Sequence, residues 1–321
     1  MKFRTEITIA PWSEKIEYSD NIVCLGSCFA SNIATKLKES KFSVADNPTG
    51  ILFNPASIAK SLRLMTLQTP IAESDIFERN GRYVSFMFHS SLSGATPKEA
   101  ISVMQEALSK GCKEIRRAKL IIVTLGSAYV WRDQRGEVVA NCHQVGAKNF
   151  TTELLSLEQI VESLEEIVNL TTAKILFTVS PVRHLNDGLE GNSLSKALLR
   201  VAIDKVMHKY PERVGYFPSY EIVMDDLRDY RFYDADMLHP SAQAVEYIAE
   251  KFFLVALSER AKQQRSEVLE IVQARHHRPL NPTSEAYKNF CRQQLDAIAE
   301  LKEVDFSEEK SYFEQMLQIN L

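Results

Sequence analysis

Residues 21–37 read N-I-V-C-L-G-S-C-F-A-S-N-I-A-T-K-L, and the apolar pattern changes period at Gly26. Ile22-Val23-Cys24-Leu25 is a short apolar, β-prone run closed by glycine, which predicts a buried strand. Phe29, Ile33 and Leu37 then recur every four residues and line one face of a helix. Ser27 and Cys28 therefore fall in the turn or in the first helical turn, where unpaired N–H groups and the positive end of the helix dipole lie. A thiol placed there is expected to have a lowered pKa, and the same N–H groups could hold a tetrahedral oxyanion. The competing reading is a cysteine packed as a small apolar residue, and this segment alone favours it.

Outward from this unit, strands and helices alternate. Phe42-Ser43-Val44-Ala45 is a second strand candidate, and Asn54-Pro55 caps and opens a helix carrying Ile58, Leu62 and Met65. Residues 76–92 suggest a strand or hairpin with Tyr83, Val84, Phe86 and Phe88. Thr96-Pro97-Lys98-Glu99 has the form of a capping box before a helix with Ile101, Met104, Leu108 and Ile115. Leu120 to Leu125 is the best buried strand, and 129–141 follows as a hairpin insert. Ser156 and Gln159 form another capping box, ahead of a helix with Ile160, Leu164 and Ile167. A strand at Ile175–Val179, a helix from about 192 to 210, a strand at Val214–Phe217 and a helix from Pro240 to about 257 complete the series.

Four or five short buried strands separated by helices specify an α/β fold, a three-layer sandwich on a mostly parallel sheet. Such sheets bind ligands beyond the carboxyl ends of their strands. Attention therefore falls on the loops 26–28, 46–54, 126–128, 180–188 and 218–239. After Ser258 the chain becomes charge-rich, with a break at Pro279 to Pro282. Residues 1–257 are expected to form the α/β domain and 258–321 a helical extension that packs on it or on a partner.

Composition narrows the function. The chain has 321 residues and a formal net charge of −4, which speaks against a general nucleic-acid or acidic-membrane binder. Residues 1–12 alternate polar and apolar side chains without an apolar leader, and no run is long enough to span a bilayer, so a cytoplasmic location is expected. The five cysteines are scattered and form no C-x-x-C, and the seven histidines form no metal-binding pattern. Neither a disulfide framework, a metal site nor a cofactor is expected.

The second informative segment is Asp234-Ala235-Asp236-Met237-Leu238-His239-Pro240-Ser241. Pro240 suits a first helical turn, leaving His239 at the loop–helix junction with Asp236 three residues before it. That carboxylate can accept the Nδ1–H of His239, fix its tautomer and leave Nε2 free as a base. Alone, D-x-x-H is a weak signal, since seven histidines and abundant Asp produce it by chance, and its plain reading is a capping or salt-bridged histidine. Its place after the last short strand and before the last core helix allows it to share an end of the sheet with Cys28.

A nucleophile turn after the first strand, with D-x-x-H-P before the last helix, resembles the SGNH (GDSL-type) hydrolase superfamily. Gly26-Ser27-Cys28-Phe29-Ala30 looks more closely like the motif of the GSCFA-domain proteins, a bacterial relative of that superfamily. Residues 47–55, Asn141-Cys142-His143, 180–184 and 217–240 match the same family, so the resemblance covers about residues 1–257. It implies a flavodoxin-like sheet and an esterase or acyltransferase acting on a small-molecule, carbohydrate or lipid-like acyl ester. Cys28 falls in the nucleophile slot, His239 in the base slot and Asp236 in the orienting slot. Ser27 takes the slot of the motif's Asp and is the alternative nucleophile. Gly50 and the Cys28 N–H fall in the oxyanion hole. The superfamily's G-x-N-D block falls on Gly126-Ser127-Ala128-Tyr129, which lacks the Asn; Asn141 or Asn54 is the candidate substitute.

Arg183 and His184 could hold an anionic or sugar substrate, or tie down their loop. His143 and Asn54 could line the cleft, or pack. Two rivals remain beside the enzyme reading: a non-catalytic relative that keeps a ligand cleft, and a thiol redox sensor using Cys28.

Overall fold

A computed structural model describes residues 4–319. The outermost parts of the stretches read above, residues 1–3 and 320–321, lie outside the described residues. The backbone is a three-layer α/β sandwich. Five parallel strands, β1 (Asn21–Gly26), β2 (Ser43–Asp46), β5 (Ala118–Leu125), β9 (Lys174–Val179) and β10 (Val214–Tyr216), form one sheet in the order β10-β9-β5-β1-β2. Counted along the chain this is the 2-1-3-4-5 order of flavodoxin-like sheets, with its switch point at β1.

Side-chain alternation divides the core. Ile22, Cys24, Leu120, Ile122 and Leu176 face one layer, while Val23, Leu25, Ile121, Val123, Ile175 and Phe177 face the other. The first layer holds α1 (Cys28–Glu39) and α7 (Ala242–Ala256). The second holds α2 (Pro55–Leu67), α3 (Pro97–Arg117), α4 (Leu157–Asn169) and α5 (Gly188–Lys209). Strands buried on both faces explain why these segments read as continuous apolar runs.

Two inserts differ in detail from expectation. The first hairpin is confined to β3 (Phe77–Arg79) and β4 (Arg82–Val84), and Phe86 and Phe88 lie in the loop beyond. The second, β6 (Tyr129–Arg132) with β7 (Val138–Val139), gains a third antiparallel strand, β8 (Thr151–Leu154). At Thr96 the hydroxyl accepts the Glu99 N–H, but Glu99 returns to Ala95 rather than to Thr96, so the reciprocal box is displaced by one residue. Between β10 and α7 the chain runs through α6 (Ser219–Glu221) and a π-helical turn at Ile222–Asp226.

The extension comprises α8 (Glu259–His276), α9 (Glu285–Glu300) and α10 (Ser307–Gln318). Its Val268, Ile271, Tyr287, Cys291 and Phe313 join the same buried cluster as α1, α7 and the sheet, so it packs on the α/β layer. Phe313, fully buried against Phe290 and Tyr312, tests this union. Phe313→Ala is expected to cost about 3–4 kcal/mol. The loss should appear in urea denaturation as one shifted transition; an unshifted main transition with a separate early one would show that the extension unfolds alone.

Candidate active site

The turn after β1 is built by steric exclusion. Gly26 has φ +127°, and a Cβ there would stand 2.1 Å from the Thr124 carbonyl oxygen of β5, so only glycine fits. Asn47 clamps it: its Oδ1 accepts the Gly26 N–H at 2.8 Å, while its Nδ2 donates to Ser31 Oγ and Asp46 Oδ1. The chain leaves this clamp directly into α1, with Ser27 as N-cap and Cys28 as the first helical residue.

Ser27 and Cys28 have opposite environments. Ser27 is 3 % exposed, and its hydroxyl is buried without a hydrogen-bond partner. Cys28 is partly exposed and shares an open cleft of about 390 Å³ with Asn32, Thr35, Asp234, His239 and Val245. The expected low thiol pKa does not hold. Burial raises the Cys28 pKa above its ordinary value; the N–H groups of Phe29 and Cys28 and the Lys196 ammonium pull it down, and Asp236 pushes it up. The helix N-terminus thus acts on the sulfur, but desolvation is the larger effect.

His239 reaches the cleft on a loop rather than from a helix. Pro240 was expected in the first turn of α7, yet the helix begins at Ala242, because Ser241 caps it by accepting the Ala244 N–H. Asp236 organises the loop. Its Oδ1 accepts the N–H groups of Leu238 and His239, and its Oδ2 accepts from His239 Nδ1 at 2.6 Å. These N–H donors and the ring hold its carboxyl down at about 2. With Nδ1 engaged, Nε2 is the free ring nitrogen.

The remaining expected residues divide. His184 lies beside the site: its ring packs at a tilt against Phe53, centroids 5.9 Å apart, and its Nε2 is buried without a partner among the described residues. Burial, then the charges of Lys196 and His239, lower its pKa to about 4, against the pull of the Gly126 carbonyl. Arg183 instead serves the loop. Its N–H donates to the Leu238 carbonyl, and its guanidinium contacts Tyr233 Oη and Met224 Sδ.

Four expectations are corrected. The Gly50 N–H, assigned to an oxyanion hole, donates to the Asn47 carbonyl at 2.7 Å, and Gly50 backs onto the His89 side chain. Asn54 is 3 % exposed and caps α2 through the Ser57 N–H. Asn141 accepts the N–H of His143. The His143 ring packs among Phe77 and Phe86 with Nε2 on the Ser85 carbonyl. Asn54, Asn141 and His143 do not line the Cys28–His239 cleft; each is held by the local structure it builds.

Two participants were missed. The sequence marks Asn47 only as part of the 47–55 segment; in the structure it adopts a left-handed φ of +41° and its amide oxygen accepts the Gly26 N–H. Lys196 is 2 % exposed on α5 and donates to the Gly126 and Ser180 carbonyls. Its signal was legible: Asn192, Ser195 and Lys196 continue the buried stripe of Leu199, Ala202, Ile203 and Val206. A lysine on an apolar stripe has to be accounted for.

Among the described residues no three His, Cys, Asp or Glu side chains converge as metal ligands would, and no helix is long and apolar enough to cross a membrane. The sequence profile of the GSCFA family matches residues 21–252. A second, of the GSCFA domain protein C-terminal domain, matches residues 268–319. No curated protein matches the chain.

Proposed function

The chain belongs to the GSCFA family, and on that premise we propose that it is an SGNH-like esterase or acyltransferase working through Cys28, His239 and Asp236. The observation that carries this reading is the pairing across one cleft: a partly exposed thiol and an imidazole lie on the same walls, and the imidazole is bonded through Nδ1 to a carboxylate at 2.6 Å. The nucleophile stands at the start of the helix after the first sheet strand, and the base and its orienter on the loop after the last, which gives the three roles of a triad.

The raised thiol pKa selects the mechanism. Cys28 is protonated at neutral pH, so attack needs His239 Nε2 to take the S–H proton as Sγ bonds to the ester carbonyl carbon. The oxyanion then faces the first-turn N–H groups of Cys28 and Phe29, which have no acceptor within α1. Collapse breaks the ester C–O bond, and the departing alkoxide takes the proton from His239. Water or an alcohol attacks the resulting thioester and gives its proton to His239; the C–S bond breaks, the acyl group leaves on the acceptor oxygen, and the departing sulfur takes the proton back from His239. The open cleft leaves room for either acceptor. Its polar walls, Asn32, Thr35 and Asp234, suit a hydroxylated substrate such as an acylated carbohydrate.

Burial of the Ser27 hydroxyl favours Cys28 over its neighbour. The commitment of the Gly50 N–H favours the rival reading, a ligand-binding protein without turnover, because it removes one expected oxyanion donor. Labelling with a chromogenic acetyl ester, followed by peptide mapping, separates these readings. The expected result is an acetyl group on Cys28 that turns over, and no label in Cys28→Ala. A label on Ser27, or equal labelling of the variant, would overturn the nucleophile assignment; a stable label that never leaves would favour the binding protein.

A further inference from the structure

Among the described residues Lys196 has no carboxylate partner. Its ammonium donates to two carbonyl oxygens, Gly126 at 2.6 Å and Ser180 at 2.8 Å, at the carboxyl ends of β5 and β9. Two of its three N–H groups are thereby engaged. Gly126 backs directly onto the nucleophile turn: a Cβ on it would lie 3.4 Å from the Ser27 Cβ. The ammonium is therefore held on the backbone stretch that packs against Ser27, the residue preceding Cys28. Four further groups face it or its neighbours. Arg183 and His184 lie on the loop after β9, the Tyr220 ring of α6 is 6.0 Å away, and His239 acts on His184. None of these four is an anion near neutral pH; ionisation of Cys28 favours the charged lysine, whereas Arg183 opposes it.

A buried ammonium without a counter-ion is costly to a fold. Burial lowers the Lys196 pKa to about 7, below its unfolded range, so the unfolded chain binds more protons between roughly pH 7 and 10 and stability rises with pH across that window. A side chain kept at such cost, beside a thiol that burial has made a poor acid, has a use for its charge.

We infer that Lys196 is the buried counter-cation of the Cys28 thiolate, a positioning residue that sets the reactivity of the thiol. The inference rests on Cys28 being the ionising group of the cleft, and it is independent of whether acyl turnover follows. The thiolate stabilises the ammonium, and the ammonium lowers the energy of the thiolate. When His239 removes the proton, the developing negative charge and the lysine's charged form favour each other.

The test is the pH profile of Cys28 alkylation by iodoacetamide, which reads thiolate without turnover. Lys196→Gln keeps an amide donor for the two carbonyls and removes the charge; Lys196→Met removes both. Each is expected to raise the apparent Cys28 pKa by about one unit, which is a tenfold slower alkylation near pH 7, while Lys196→Arg should restore most of the rate. A folded Lys196→Gln protein with the parental profile would overturn the inference and leave Lys196 a strap between strand ends. A second measurement needs no change at Lys196. In protein carrying 13C-labelled lysine, Cys28→Asp places a fixed anion in the turn and should raise the Lys196 pKa by a unit or more over Cys28→Ala. Equal values in the two would also overturn it. An alkylation result of either sign leaves the acetyl-mapping test of the proposed function standing by itself.

Discussion

His239→Ala is expected to lower kcat/KM toward a chromogenic acetyl ester by about three to four orders of magnitude. The size follows from the protonation state of Cys28. A preformed thiolate would lose little with its base; a thiol pushed above its ordinary pKa by burial depends on Nε2 to become a nucleophile. Asp236→Asn should lose about a hundredfold or more, because an amide facing Nδ1 no longer enforces the tautomer that leaves Nε2 free. Fold should be kept in both, since the two side chains are 47 % and 45 % exposed and the ring contributes no core packing. The Asp236 pKa of about 2 lies below its unfolded value near 4, so its contribution to loop order is present above about pH 4 and lost as pH falls toward 2. Activity limbs at higher pH therefore belong to other groups. Steady-state kinetics over pH 4 to 10 checks both points; a His239→Ala rate within tenfold of the parent would remove His239 from the mechanism.

Gly26→Ala is expected to be the most damaging substitution for the fold. The added methyl would stand 2.1 Å from the Thr124 carbonyl oxygen and 2.9 Å from its carbon, both backbone atoms at the centre of the sheet. Relief requires β1 and β5 to separate where Ser27 donates to that same carbonyl. Adding the strain of φ +127° for an L-residue, the loss is about 3 kcal/mol or more. Gly136→Ala is the matched control: φ there is +80°, but nothing lies within 4 Å, so only the backbone strain remains, about 1 kcal/mol. Urea midpoints measure both. Comparable losses would show that crowding against β5 is not what requires glycine.

The sheet was legible because burial on both faces leaves a local mark. Leu120–Leu125 and Ile175–Val179 read as strands without any knowledge of their neighbours, and the cap at Asn54-Pro55 appears where the sequence places it. The break at Leu301–Phe306 between α9 and α10 was not legible, since no Gly or Pro marks it. The start of α7 was misread because Pro240 and Ser241 are both good openers, and the hydrogen bond from Ala244 decided between them.

The site divides along the same line. Sequence alone determined which residue types stand at the turn and the D-x-x-H loop, because spacing within a few residues controls the Asp236–His239 bond and the glycine requirement. Only the tertiary structure decided the rest. It brought Cys28 and His239, more than 200 positions apart, onto one cleft. It buried Ser27, returned Gly50, Asn54, Asn141 and His143 to local structural duties, and buried Lys196 against the carbonyls at the ends of β5 and β9. The physical reason is that hydrogen bonds to near neighbours are set by chain geometry. Desolvation and charge coupling depend on which distant segments pack together, and they determine whether a cysteine works as a thiol, a thiolate or a filler of space.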